Sequence, residues 1–492
     1  MDQQCDVCRV RTSVAVVSHG LGGPPSDGDG AASTRAQHRE VLRLAVPAFL
    51  TLIAEPLFLL ADTAIVGHLG TSALAGLGVA SAVLLTAAGV FVFLAYGTTA
   101  IVARQIGAGS RAGAISAGID GTWLAIALGI VTGIVVALTA RPLCALFGAS
   151  PEALDQAVTY LRVSAAGLPG MLVILATTGV LRGLQDTKTP LVASVVGFTA
   201  NVILNVLFVY GFGLGIEGSA LGTVLAQTGM AAALIAVLIR YAVRERLRLH
   251  PHPGRVLGAA THGIPLLVRT LALRASLLTM TWVAAGMGDV PLAAYQVSAT
   301  IWSFMAFALD AIAIAAQALT GKSLGAGDVE GTRSATTLMT KWGVAMGAVL
   351  GVMLLALHQV LPPLFTSDPE VRSALSVALV VVALGQVLSG YVFVIDGVLM
   401  GADDARWLAG AYVATYLLFL PVILTVRALS ERIVGPVGWF ATTGDGWWGA
   451  VQRPGPAQAM VWLWVGLNAF MAIRAVALWW RVRGTKWMVT GA

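Results

Sequence analysis

The sequence predicts an all-α polytopic membrane protein with twelve transmembrane helices in two pseudo-symmetric bundles of six. Three observations carry that prediction. Only 11% of the 492 residues are charged and 57% are hydrophobic, with a mean hydropathy of +0.84; a soluble domain carries about 25% charged residues. Apolar runs recur at the length needed to cross a hydrocarbon core of about 30 Å, which takes ~20 residues of helix. Finally, the chain contains the same segment twice. Pro47 pairs with Pro265, Gly70 with Gly288, Gly107-Ala108-Gly109 with Gly325-Ala326-Gly327, and Leu146-Phe147 with Leu364-Phe365. Pro151-Glu152 pairs with Pro369-Glu370, Gly183 with Gly401 and Asp186 with Asp404, all at one offset, 265 − 47 = 404 − 186 = 218. An internal repeat in so apolar a chain marks secondary transporters, whose substrate site lies between the repeats.

The spans follow in order. The first half supplies 41–66, 73–100, 117–140, 154–180, 190–211 and 218–241; the second supplies 259–285, 291–318, 336–361, 372–400, 407–427 and 458–481. Six spans per copy is an even number, so the second copy enters the membrane in the same sense as the first. These are parallel repeats, related by an axis along the membrane normal. The expected domains are a disordered cytoplasmic tail (1–37), an amino-terminal lobe (38–241), a linker (242–258), a carboxy-terminal lobe (259–481) and a second cytoplasmic tail (482–492). Residues 430–458, with Trp439, Trp447 and Trp448 among Gly and Pro, form an extracytoplasmic loop at the membrane interface or over the outer mouth.

Basic residues set the orientation. The linker region carries Arg240, Arg244, Arg246, Arg248 and Arg255, and loops 2–3 (Arg104, Arg111), 4–5 (Arg182, Lys188) and 8–9 (Lys322, Arg333) are basic. The alternate loops are short and neutral or acidic, which places both termini in the cytoplasm and the protein in the cell (inner) membrane. Basic residues confined to short loops read as topology signals, so no nucleic-acid partner is expected. Three cysteines, Cys5, Cys8 and Cys144, supply neither a four-ligand metal site nor a disulfide framework. No span pairs a nucleophile with a base, so no enzyme is predicted and no cofactor is expected.

Ionisable residues inside spans are costly and mark pathways. Span 1 holds Thr51, Glu55 and Asp62, and the seven residues from Glu55 to Asp62 make nearly two turns, placing both carboxyls on one face. Carboxyls facing a partly dry cavity hold a proton readily. Span 5 places Asn201 and Asn205 one turn apart, with Thr223 early in span 6. These neutral groups suit an alkali cation, a relay to a carboxyl, or a packed helix interface. In the second half Asp310 is mid-span 8, Gln317 lies two turns on, and Arg269 and Arg274 of span 7 are available to neutralise an acid. Asp396, near the cytoplasmic end of span 10, reads as an interfacial carboxyl. Asp120, Arg162 and Lys341 read as bundle ion pairs or snorkelling residues. Pro47 and Pro56 each remove a backbone hydrogen bond from span 1 and permit it to bend. Tyr96, Trp302 and Met305 recur at helical spacing, as packing residues or as the wall of a cleft for bulky cations.

These residues resemble the multidrug and toxic compound extrusion (MATE) transporters, specifically the DinF-like branch. The matching stretches are Asp62-Thr-Ala-Ile-Val-Gly-His-Leu-Gly70, Gly97-Thr-Thr, Leu181-Arg-Gly-Leu-Gln-Asp-Thr-Lys-Thr-Pro190, Ala308-Leu-Asp310 and Asp396-Gly-Val-Leu-Met-Gly401, within 38–427. The resemblance implies two six-helix lobes forming a V around a central cleft, and a monomeric antiporter in membrane lipid. It would export small organic, cationic or amphipathic compounds in exchange for H+ or Na+. It implies that Asp62 is the acid whose protonation or sodium binding drives extrusion, with Pro47 as hinge. Asn201, Asn205 and Thr223 fall at the amino-lobe cation site (Na+, if bound, at these three with Asp62), and Asp310 matches an acidic position of the second lobe. Family members often have Asp where Asn205 stands, so the coupling expected here is to protons, through Asp62 and Glu55. The substrate cleft is expected at Asp310, Gln317, Tyr96, Trp302 and Met305. A flippase of lipid-linked intermediates, which usually shows a strongly cationic cleft, and a non-transporting membrane scaffold are the alternatives.

Overall fold

The computed structural model describes residues 27–147, 150–433 and 456–491; the side chains of residues 27–37, Glu55, 57–60, 429–433 and 456 are outside that description. The Cys5-x-x-Cys8 pair, most of the Trp-rich loop and the Glu55 carboxyl therefore lie outside the described residues.

The described chain is a succession of helices. The first half contains α1 (Asp27–Gly67), α2 (Thr71–Phe91), α3 (Phe93–Gly107), α4 (Arg111–Ala145), α5 (Pro151–Ala165), α6 (Leu168–Gly183), α7 (Lys188–Val206, continued by a π turn to Gly211) and α8 (Gly215–Arg244). The second contains α9 (Pro253–Gly286), α10 (Asp289–Gly325), α11 (Val329–Leu357), the single turn α12 (Pro362–Phe365), α13 (Pro369–Gly401), α14 (Ala405–Ile433) and α15 (Pro456–Arg483). Among the described residues ten helical spans are long and apolar enough to cross a membrane, and α5 with α6, bent by 53°, make an eleventh. The helix α1 stands at the place of the first of the twelve expected spans. Residues 27–37, expected to be disordered tail, are helical at the start of α1. Large apolar side chains such as Val131, Ile134 and Leu138 on α4 and Val192, Val195 and Val196 on α7 point outward, as lipid-facing surfaces require.

The 218-residue offset persists in the geometry. Ser110 and Asp328 both cap helices by accepting from the amide three residues on, Gly113 and Gly331, and 328 − 110 = 218. Ser150 and Asp368 do the same for α5 and α13. A short oxygen acceptor at the N-cap satisfies an otherwise unpaired helix amide, so the role survives where the residue changes. A Cβ on Gly183 would lie 2.9 Å from the Thr99 carbonyl oxygen, and one on Gly401 2.3 Å from that of Gln317. Both residues of the second contact are displaced by 218, so each half packs its helices through the same bare-backbone approach.

One contact sits on the symmetry axis itself. A Cβ on Gly107 (α3) would come within 1.9 Å of the Lys322 carbonyl oxygen (α10), and one on Gly325 within 2.1 Å of the Arg104 carbonyl oxygen. Residues 104 and 107 map onto 322 and 325 under the same offset. The contact is therefore reciprocal, and it joins the two halves at the end bearing the basic loops. The C-terminal segment crosses this seam. Arg104 donates to the carbonyls of Val489 (2.7 Å), Gly491 (2.8 Å) and Ala402 (2.9 Å), and the Gly491 amide donates to Leu324. Trp487 is buried, and Arg481 pairs with Asp404 at 2.6 Å.

The repeat also breaks. Its second copy is continuous through α10, whereas the first is interrupted between α2 and α3 at Val92. The position equivalent to Val92 is Asp310, since 310 − 92 = 218. Likewise α13 runs straight through where α5 and α6 bend.

Candidate substrate and coupling site

Asp62 is buried near the end of α1 among neutral donors only. Ser219 donates to Oδ1 at 2.6 Å, Asn205 Nδ2 to Oδ1 at 2.8 Å, and the Tyr160 hydroxyl to Oδ2 at 3.1 Å. Asn205 Nδ2 also donates to Asn201 Oδ1 (3.1 Å), and Asn201 Nδ2 to Thr223 Oγ1 (3.0 Å). Four helices meet here. Asn201 and Asn205 share a face of α7, and Ser219 and Thr223 share a face of α8, each pair four residues apart. Gly218-x-x-x-Gly222 brings α8 against α7: a Cβ on Gly222 would stand 2.1 Å from Asn205 Oδ1. Small residues at this spacing allow close helix approach in membranes. Among the described residues no cation pairs with Asp62, so its charge is balanced only by dipoles.

Asp62 lines a cavity of about 270 Å³. Its walls are largely apolar, with Leu84, Leu168, Met171, Phe198 and Met230 among them, and all of its lining residues except Asp310 come from the first half. Tyr160 and Thr223 line it beside Asp62; elsewhere on its wall lie Asp310, Tyr96 and Arg182. Tyr96 donates to Asp310 Oδ2 at 3.4 Å, and Gln317 donates from behind to the Tyr96 carbonyl at 2.7 Å. The expected cleft is thus only partly the observed one. Tyr96 and Asp310 face the cavity, Gln317 positions Tyr96, Met305 is buried in a hydrophobic core to which both halves contribute, and Trp302 packs against that core. The interruption at Val92, which itself lines the cavity, helps to make this room beside Asp310. Pro47 does not break α1. Its missing amide leaves the Arg43 carbonyl free, and the Thr187 hydroxyl takes that carbonyl at 3.3 Å.

A second polar centre lies inside the carboxy-terminal half. Arg269 forms an ion pair with Asp396, Arg474 lies 3.9 Å from the same carboxylate, and Arg474 also donates to the Tyr412 hydroxyl. Both guanidiniums stack on Tyr412, at 4.9 and 4.7 Å from its ring centre. Asp396 is therefore no interfacial carboxyl but a buried partner of two arginines, because α13 continues beyond it to Gly401. Arg274 is not in this network; it lies along the bare backbone of Gly89. Asp120 is buried and pairs with the linker's Arg255 at 3.3 Å.

The comparisons with known proteins agree with this fold. The sequence matches the MatE family over residues 47–207 and 265–425, one match on each copy of the repeat. The chain belongs to the MatE family. Among its relatives, Protein DETOXIFICATION 44, chloroplastic, of Arabidopsis thaliana is 30% identical over 91% of this chain and 82% of its own length. The probable multidrug resistance protein NorM of Pseudomonas putida is 29% identical over 89% and 93%. The DNA damage-inducible protein F of Escherichia coli is 28% identical over 81% and 87%. Among solved structures, a MOP superfamily transporter from Pyrococcus furiosus superimposes with a TM-score of 0.77 at 20% identity, covering 91% of this chain and 96% of that one.

Within this MatE fold the structure adds residues that sequence reasoning passed over. Tyr160 and Ser219 complete the shell of Asp62, and Ser219 was signalled only by its four-residue spacing from Thr223. Arg182 read as a loop residue setting topology. It is instead 8% exposed, inside the last turn of α6, and lines the cavity.

Proposed function

We propose that the protein is a secondary active antiporter that exports small organic compounds across the cell membrane in exchange for protons, with the basic loops and both termini in the cytoplasm. The observation that carries this reading is the placement of Asp62. A scaffold gains nothing from desolvating a carboxyl that no cation balances. Here that carboxyl shares a cavity of substrate size with a second acid, Asp310. Membership of the MatE family and relatives named for detoxification and multidrug resistance support export. The flippase alternative is disfavoured by the cavity's charges, two carboxyls against one guanidinium, which do not make it strongly cationic.

The donor set favours a proton over sodium. An alkali cation needs several oxygens turned towards it, whereas the amide nitrogens of Asn205 and Asn201 are directed at Asp62, Asn201 and Thr223, and among these amide oxygens Asn205 Oδ1 alone is buried without a described partner. Protonation of Asp62 removes the charge that its three donors hold, and so loosens α1 from α5, α7 and α8. The bend this releases drives substrate out; loss of the proton to the cytoplasm restores the contacts and the negative cavity.

The test is transport of fluorescent amphipathic dyes, one cationic and one zwitterionic, into inverted membrane vesicles, with the proton and sodium gradients collapsed separately. Collapse of the proton gradient is expected to abolish transport, and Asp62→Asn to lower it at least about tenfold. Efflux that survives in the Asp62→Asn protein at the wild-type rate sinks the coupling role of Asp62, and dependence on the sodium gradient alone sinks proton coupling.

A further inference from the structure

Arg182 is a cation without an assigned task. The residue is 8% exposed and lines the cavity. Its guanidinium makes no hydrogen bond and no ion pair with any described residue, so none of its nitrogens comes within 4.0 Å of an acidic oxygen. The charged side chains that act on Asp310 are Arg182, Arg269 and Asp396, but Arg269 is already bound to Asp396. Among the described residues Asp310 in turn accepts only the long bond from Tyr96. An apolar cavity thus carries, near each other but not in contact, one guanidinium and one carboxylate.

A buried guanidinium gains strongly from a partner, since it presents a planar fork of donors that matches a carboxylate. A direct ion pair with Asp310 would satisfy both groups, yet the structure keeps them apart. We infer that Arg182 and Asp310 together form the polar end of the substrate site and take an amphipathic zwitterion, its carboxylate on Arg182 and its cationic group towards Asp310, with an apolar body along Leu168, Met171 and Phe198. This deepens the export reading and rests on the same cavity being the substrate site. It also fits the coupling scheme: a zwitterion adds no net charge to the cavity, so Asp62 alone decides when the site turns negative. The specificity-determining residue is then Arg182, which selects against molecules bearing only a positive charge.

The experiment uses one xanthylium dye in two forms: its free acid, a zwitterion at neutral pH, and its methyl ester, a cation with the same ring system. Binding to the purified full-length protein is read by fluorescence polarisation, apart from transport. The wild type is expected to bind the free acid about tenfold more tightly than the ester, roughly the worth of one charge-assisted contact. Arg182→Gln is expected to erase that preference by weakening only the free acid, while Arg182→Lys, which keeps the charge but loses the fork, retains part of it. Melting temperatures of the three proteins show whether the variants are folded. If the folded Lys variant binds the two dyes equally and the Gln variant weakens both alike, Arg182 only stabilises the fold and the inference fails. It fails also if the wild type prefers the ester or binds neither dye. Proton-driven efflux of whichever dye binds is measured separately: tight binding without efflux overturns the transport reading and leaves the ligand class standing.

Discussion

Asp62 depends on three donors that differ in what their loss leaves behind. Removing the Ser219 hydroxyl takes the shortest bond from Oδ1, but Asn205 still donates to that oxygen. Removing the Tyr160 hydroxyl leaves Oδ2 with no described partner. An unmet buried acceptor costs about 1–3 kcal/mol, more when it is charged. Tyr160→Phe is therefore expected to lower proton-driven efflux more than Ser219→Ala, by about tenfold against a few-fold, with both proteins folded. An equal loss in the two variants would contradict the one-donor status of Oδ2. The sequence revealed Asp62, Asn201, Asn205 and Thr223 because a charge or amide inside an apolar run stands out. Tyr160 and Ser219 did not, since Tyr and Ser are unremarked in a membrane helix until a neighbouring helix shows which face is dry. Arg182 was misread for the opposite reason: it sits where a loop was expected, but α6 runs on to Gly183 and draws it into the protein.

At the scale of helices, the repeat was legible almost to the residue because its matches are Gly, Pro and capping positions, which the backbone itself demands. The interruptions at Val92 and at residues 166–167 were not legible. Val92 carries no breaking residue, and Pro169, which stands where the second copy has Val387, reads in sequence as ordinary helix punctuation. Helix contacts through bare backbone make a sharper prediction. Gly107→Ala and Gly325→Ala each place a methyl group against a carbonyl of the facing helix, at related positions on one reciprocal contact. Overpacking of this kind costs about 1–3 kcal/mol. Both variants should lower the melting temperature and slow efflux to a similar extent, and the double variant should fall short of the sum, because one displacement of α3 from α10 accommodates both methyls. Full additivity, or an effect of one substitution alone, would show that the two contacts do not lie on a common axis.

For the molecule as a whole, the reciprocal glycine contact and the C-terminal segment close the same end. Arg104 of the first half holds carbonyls of Ala402, Val489 and Gly491 from the second, and Gly491 returns a bond to Leu324. In an alternating-access cycle this end must part for substrate to reach the cavity from the side of the basic loops, so each of these bonds stabilises the closed arrangement. A small crevice of about 30 Å³ beside it is lined by Ile101, His262 and Asp403. Burial raises the Asp403 carboxyl above the ordinary carboxylate range, with His262 and Arg104 opposing the shift. Ile101→Cys therefore reports opening at a place the tail does not itself occupy. Ending the chain at Gly484 removes the Val489 and Gly491 acceptors. Labelling of Ile101→Cys by a membrane-impermeant maleimide from the basic side should then accelerate several-fold. Arg104→Ala in the full-length chain removes the same bonds from the other partner and should accelerate labelling alike. Combining the two should add little, since both delete one set of contacts. Unchanged labelling after truncation, or full additivity of the two changes, would mean that the tail lies across the seam without holding it shut.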